Sequence, residues 1–320
     1  MYKHSNIPIF IPHRGCNNNC VFCNQRSITG NKCAPTVTEV KEIIDEYLGF
    51  LKDREAEIAF FGGSFTGIPI EEQTEYLICA YEYVKNKKVL GIRISTRPDY
   101  IDEEILANLK KYGVINIELG VQSMCGDVLK ASKRGHTASD TYKAVNLIKS
   151  EGFGLGLQMM IGLPCDTPAK SRYTACEIVK MGADFARVYP VCVLQETELY
   201  DMYKRGEYSP LDVDTAVEIA VDVMRILESG GVSVIRIGLQ ETDTLGGSVA
   251  AGAYHPAMGE LVKSRIIRDS LENEILNQQI KEEIVFKVPA HMLSKTVGQH
   301  RCNVLYLEKK YNVKISFQLI

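Results

Sequence analysis

Seven short runs of aliphatic and β-branched residues alternate with longer amphipathic stretches between residues 7 and 237, and this alternation constrains the chain more than any other feature. The runs fall at 7–11, 57–61, 91–96, 114–120, 154–161, 185–191 and 232–237, each bounded by turn-forming residues as strands are. Between them, residues 38–52, 71–85, 102–111, 139–150, 169–181 and 212–229 carry apolar residues at helical spacing, as in Val40, Ile43, Ile44, Tyr47 and Leu48. Strands separated by helices pair in parallel through right-handed crossovers. About six such units predict an α/β fold that closes into a complete or partial (β/α) barrel, with its site at the C-terminal ends of the strands. A doubly wound open sheet is the alternative.

The 320 residues are 45% hydrophobic and 24% charged, enough for a core of that size and without the composition of a disordered chain. A net charge of −3 gives no global basic signature, so composition is silent on partners. The N-terminal apolar stretch is broken by Pro8 and Pro12 and lacks a small-residue cleavage site, which argues against a signal peptide. No stretch approaches the roughly 18 apolar residues of a membrane span, so a cytoplasmic protein with no membrane partner is expected. Three of the ten cysteines lie close together and seven are scattered singly. In a reducing compartment that pattern reads as one metal site plus small core residues.

The cluster of three is GCNNNCVFCNQ, with Cys16, Cys20 and Cys23 directly after the first strand. All three thiolates can converge from one loop on a single metal centre. Ferredoxin cubanes take four cysteines, so three leave one iron free for an exchangeable ligand. Zinc is the competing reading and would need a fourth ligand such as His13.

This spacing, the aromatic Phe22 before the third cysteine and the position after strand one resemble the radical S-adenosyl-L-methionine (SAM) superfamily. The resemblance covers most of the chain. It implies a 4Fe-4S cluster whose open iron chelates the amino and carboxylate groups of SAM, reductive cleavage to a 5′-deoxyadenosyl radical, and an electron donor of flavodoxin or ferredoxin type. It also implies SAM contacts. FFGGSFTG places Gly62, Gly63 and Ser64 at the exit of the second strand, similar to the superfamily's glycine motif for the SAM amino group. STRPDY supplies Ser95 and Arg97 at the third exit, and ELGVQS supplies Glu118 and Gln122 at the fourth. Gly162, Leu163 and Pro164 in QMMIGLP resemble the backbone platform for adenine. Each feature has a plainer reading as a turn, a helix cap or a strand-to-helix connection, and Cys165, where a glycine is usual, reads as packing or as a substrate-side thiol.

STRPDY, ELGVQSM, LKASKRGHT, QMMIGLP, RVYPVCVLQETELY and KRGEYSP together resemble the radical SAM core of the Elongator catalytic subunit, from about residue 5 to about 240. That likeness implies modification of RNA, tRNA or rRNA. The cysteine spacing is shorter than in that family and no acetyltransferase domain is expected, so the resemblance does not imply carboxymethylation chemistry. The alternative is a radical SAM enzyme or haem-related protein acting on a small molecule, peptide or porphyrin. Its porphyrin branch usually has a further cysteine after the third, where Asn24 and Gln25 stand.

Three regions are expected: a core barrel over 1–240, a Gly/Ala-rich loop and a helix over 241–283, and a small α/β tail over 284–320. The tail reads strand, helix, glycine turn at Gly298, helix, strand, and resembles the core of a KH domain, whose GXXG loop clamps a nucleic-acid backbone. Arg301 occupies the second glycine position, and Lys295 and His300 add charge. RNA is therefore a candidate partner of the tail, against a structural unit that merely closes one end of the barrel.

Overall fold

Alternation of aliphatic side chains with polar or small ones builds the central sheet, as in SNIPIFI, where Ile7, Ile9 and Ile11 are buried. The computed structural model describes residues 5–12, 14–16, 18–24, 34–51, 55–240, 245–277 and 282–320. The main strands are β1 (Ser5–Ile11), β2 (Ala56–Gly62), β3 (Gly91–Thr96), β4 (Val114–Gln122), β5 (Gly154–Ile161), β6 (Phe185–Pro190) and, after the short β7 (Cys192–Leu194), β8 (Ser233–Ile237). They form one seven-stranded parallel sheet in the order β1-β2-β3-β4-β5-β6-β8. Sequential order without a reversal excludes the doubly wound alternative, whose strand order turns back at a switch point. The sheet curls into a half-barrel with β1 and β8 as its edges.

Helices α1 (Val37–Phe50), α2 (Ile70–Lys85), α3 (Glu103–Lys111), α4 (Gly126–Ala131), α5 (Ala138–Ser150), α6 (Pro168–Lys180), α7 (Glu198–Lys204) and α8 (Val213–Ser229) lie in the connections. Thr36 and Thr137 close capping boxes with Glu39 and Asp140 at the starts of α1 and α5, contacts worth about 1 kcal/mol each. Asp102 and Asp212, expected as first helical residues, are instead N-caps accepting from Ile105 and Thr215.

The two faces of the sheet differ in chemistry. On the helix side Ile92, Ile94, Ile117, Leu119, Leu155, Leu157, Ala186 and Val188 form the core with the helices. On the concave side the alternate positions of the same strands carry Arg93, Ser95, Glu118, Gln158, Arg187 and Tyr189. Period-two alternation thus gives a greasy outer face and a polar lumen.

The Gly/Ala-rich stretch after Gly238 is not wholly a loop. A short helix α9 (Leu245–Ser248) leads into β9 (Val249–Gly252), which pairs antiparallel with β7. Helix α10 (Met258–Leu276) then joins two cores. Met258 and Val262 belong to that of the half-barrel, and Leu271 and Ile275 to a second core with Ile284, Phe286, Val304, Leu307 and Ile315. This second core lies under β10 (Glu283–Val288), α11 (Leu293–Val297), α12 (Cys302–Tyr311) and β11 (Lys314–Leu319), the expected order for the tail, with β10 and β11 parallel. Among the described residues no helix is long and apolar enough to cross a membrane.

Candidate active site

A cavity of about 820 Å³ opens at the C-terminal ends of the strands and runs down into the lumen. Cys16, Cys20 and Cys23 all line it. Cys20 is buried, and the amide of Cys23 donates to its carbonyl at 3.0 Å, tightening the loop into a turn. The loop is strapped at both sides, because Val21 N donates to Ser132 O at 3.2 Å and Leu199 N donates to Val21 O at 2.7 Å. Among the described residues no three His, Cys, Asp or Glu side chains gather as they would around one ion. His13, considered as a zinc ligand, lies outside the described residues.

Glycines lock the cysteine loop onto the exit of β2. A Cβ on Gly63 would stand 2.0 Å from the carbonyl oxygen of Arg14, one on Gly15 2.1 Å from that of Ser64, and one on Gly67 2.1 Å from that of Gly15. The space their missing side chains open is filled by backbone, and Gly63 N and Ser64 N donate to Ile11 O and Arg14 O at 2.9 and 3.0 Å. Gly62, at φ +113, would bring a Cβ within 2.8 Å of Ile11 O. The FFGGSFTG segment therefore seats the cysteine loop. Gly62, Gly63 and Ser64 also face the cavity, and the Ser64 hydroxyl lies 3.9 Å from the sulfur of Cys16.

Two arginines complete this end. Arg134 donates to Cys20 Sγ at 3.2 Å and to Gly120 O at 2.6 Å. Arg97 holds Asp99 through two hydrogen bonds and donates to Arg134 O at 2.6 Å. Both are buried and line the cavity, yet among the described residues Arg97 Nη1 and Arg134 Nε have no partner, nor has Oε1 of Gln122, which stands at φ +64 beside a bulge in β4. Unpaired buried polar atoms are costly. A pair of cationic donors and an amide acceptor around three thiols fit an anionic sulfur cluster and a ligand carrying both a carboxylate and hydrogen-bond donors. By that donor set, the residues present fit a 4Fe-4S cluster with SAM.

Deeper in the lumen, Glu118 is fully buried and outside the residues that line the cavity. Arg187 grips it with Nε and Nη2 at 2.6 and 3.0 Å, Arg93 donates at 2.9 Å, and Gln158 at 2.9 Å. Burial alone would raise its pKa, but the charges and hydrogen bonds of Arg187, with Arg93 and Gln158, outweigh it and hold the carboxyl below its ordinary value. Arg93 also pairs with Glu57, which takes a further hydrogen bond from Asn116. This lattice ties β2 through β6 together. Ser95 accepts from Gln158 at 3.3 Å and faces the cavity.

Of the residues expected to contact SAM, Gly62, Gly63, Ser64, Ser95, Arg97 and Gln122 line the same cavity as the cysteines, and Glu118, Gly162, Leu163 and Pro164 lie outside its lining. Leu163 packs with Val21, Val191 and Tyr208, and Gly162 O accepts from Tyr208 at 2.6 Å. Cys165 is exposed at φ +66, a backbone conformation that suits glycine. Arg134 and Arg93 had no role in the sequence reading. Arg134 lies in the LKASKRGHT block, and Arg93 occupies a lumen position of an otherwise aliphatic strand, a period-two signal that could have found it.

A parallel half-barrel with three cysteines at Cys-x3-Cys-x2-Cys spacing after its first strand defines a class of enzyme. The model of the radical SAM superfamily matches residues 10–170 and that of its C-terminal domain residues 183–268, and the chain belongs to this superfamily. It is similar to tRNA uridine(34) acetyltransferase of Methanocaldococcus jannaschii, with 30% identity over 226 residues that cover 64% of this chain and 41% of that protein. An uncharacterized protein of the same archaeon is 31% identical over 68% of each chain. The archaeal Methanocaldococcus infernus Elp3 structure has the same fold, with a TM-score of 0.69 and 24% identity over 85% of this chain and 64% of that one. The chain thus shares the radical SAM core of Elongator-type proteins while spanning less than half the length of the acetyltransferase.

Proposed function

We propose that this enzyme holds a 4Fe-4S cluster on Cys16, Cys20 and Cys23, cleaves SAM reductively, and directs the resulting radical at RNA, with electrons from a flavodoxin- or ferredoxin-type donor. The observation that supports the SAM reading is that the three cysteines and the incompletely paired Arg97 and Arg134 all line one cavity. Bound there, the cluster would supply the single electron that splits a sulfur–carbon bond of SAM. Arg134 stabilises negative charge on Cys20 by a hydrogen bond to its sulfur. Arg97 Nη1 offers a donor to a carboxylate, and Gln122 Oε1 and the hydroxyls of Ser64 and Ser95 offer acceptors to an amine or a ribose. Phe10, Phe61, Met160 and Phe185 give the cavity wall apolar surface that would limit water around a reactive intermediate. The RNA reading is supported by the likeness to tRNA uridine(34) acetyltransferase, whose match is confined to 41% of that protein, so acetyl transfer is not carried over.

Anaerobic reconstitution tests the first part. The protein should take up about four irons and four sulfides and form 5′-deoxyadenosine from SAM under reduction, and Cys→Ala at any one of the three positions should abolish this with the fold intact. Stoichiometric zinc without sulfide would overturn it. For the substrate, nucleosides of total RNA from cells with and without the gene should differ in one modification.

A further inference from the structure

Charge is segregated along this chain. Residues 284–320 hold six Lys and Arg against one Glu, net +5, whereas the whole chain is −3, which leaves −8 on the other 283 residues. Of these six cations, Lys310 alone forms a described ion pair, with Glu272. Lys287, Lys295, Arg301, Lys309 and Lys314 have no acidic partner among the described residues. A basic block on an acidic protein is an electrostatic footprint for a polyanion.

The tail core packs on the far half of α10, but one part of the tail reaches back toward the mouth of the cavity. Helix α10 begins against the end of β8, since a Cβ on Gly259 would lie 3.5 Å from Ile237 O. Five residues on, about 7 Å along the helix, the Ser264 hydroxyl donates to Lys295 O at 2.7 Å and Asn303 Nδ2 donates to Ser264 O at 3.1 Å. Lys295 and the start of α12, with Arg301 exposed before it, therefore sit at the end of α10 nearest the strand exits.

The ground between them is also cationic. Arg236 lines the main cavity and, with Lys263 and Gly259, a small pocket on its outer side. Arg236 is hydrogen-bonded to Gln240 and has no ion-pair partner among the described residues, and neither has Lys263. β8 is an edge of the sheet, so no further strand covers this path.

We infer that Arg236, Lys263, Lys295 and Arg301 form a cationic track from the rim of the cavity to the tail that seats the phosphate backbone of an RNA whose target nucleotide enters the lumen. The assignment to RNA rests on the function proposed above. The track fits a phosphodiester chain because its cations follow one another from cavity to tail, Arg236 sharing a small pocket with Lys263, whose neighbour Ser264 is bonded to the Lys295 carbonyl and to Asn303, two residues after Arg301, and phosphate contacts set position without reading sequence.

The experiment compares the wild type with the triple variant Lys263→Gln, Lys295→Gln, Arg301→Asn, and with an equal-charge control, Lys41→Gln, Lys87→Gln, Lys111→Gln, on the outer helices and their connections. Asparagine tolerates the left-handed backbone that Arg301 adopts at φ +62. The probe is an unmodified tRNA transcript titrated at several salt concentrations, with polyglutamate of matching charge as competitor. The track variant should bind at least about tenfold more weakly at 0.1 M salt, with a log–log salt slope shallower by about 2, as expected when three phosphate contacts are lost. The control should match the wild type, and SAM cleavage without RNA should be unchanged in all three. If the track variant binds tRNA with the wild-type slope, the track is overturned while the RNA reading stands. If the wild type does not bind tRNA although it cleaves SAM, the RNA reading fails and the track with it. Displacement by polyglutamate as effective as by unlabelled tRNA would assign the surface to an acidic peptide and overturn the RNA track.

Discussion

Arg134 reaches Cys20 from 114 residues away, its Nη1 donating to the sulfur at 3.2 Å while Nη2 is anchored on Gly120 O at 2.6 Å. The second bond fixes the first. A buried cation on a cysteine sulfur stabilises the more negative state of any cluster held there, so it raises the reduction potential. Arg134→Gln removes the charge and should move the midpoint potential to a more negative value in electrochemical titration. Iron content should be retained, because the three thiols remain. An unchanged potential in a loaded variant would show that Arg134 serves the loop alone.

The fit between Gly63 and Arg14 leads to a second expectation. A methyl group at Gly63 would stand 2.0 Å from Arg14 O, a backbone atom that cannot step aside without moving the cysteine loop. Gly63→Ala should therefore lower iron and sulfide content after reconstitution to a minor fraction of the wild type. The half-barrel core lies on the other face of the sheet and should persist by circular dichroism. Full cluster loading in Gly63→Ala would mean that the loop has room the structure does not show.

Much of this was legible in the chain itself. The limits of β3 and β5 follow directly from their aliphatic runs, and parallel pairing follows from the helices between them. The three cysteines announce their loop by spacing. The glycines of FFGGSFTG were visible too, but their purpose was not, because the backbone that fills their space comes from Ile11, Arg14 and Gly15, far earlier in the chain. Pairing of β7 with β9 left no periodic signal, since strands of three and four residues are too short for one. The role of Glu118 was also hidden. A polar residue at a strand exit reads as a site residue, whereas the two arginines that neutralise it come from β3 and β6.

That burial makes Glu118 a pH-sensitive strut. Its folded pKa is depressed, so it contributes stability above the ordinary Glu value of about 4.3, and the contribution is lost as pH falls through the lower folded value. Thermal melts of the wild type should lose stability over that acidic window. Glu118→Gln should flatten this part of the profile and cost about 3 to 5 kcal/mol at pH 7, because Arg93 and Arg187 keep their charges and lose their shared carboxylate. A near-neutral substitution would show that water replaces the carboxylate in the lumen.

Arg97 offers the sharpest separation of ligand binding from cluster assembly. Its guanidinium spends Nε and Nη2 on Asp99 and Arg134 O, and Nη1 has no partner among the described residues. Lysine keeps the charge but is a single point donor that cannot hold Asp99 with two parallel bonds and still present a third hydrogen at the wall. Arg97→Lys should therefore load a full cluster, since it touches none of the three cysteines, and bind SAM about tenfold more weakly, the loss expected for one charge-assisted hydrogen bond of about 1.5 kcal/mol. Isothermal titration of the reconstituted variant with SAM reads the affinity, and iron analysis of the same sample reads the cluster. Wild-type affinity for SAM in Arg97→Lys would mean that Nη1 is directed elsewhere and that the carboxylate of SAM is held without it.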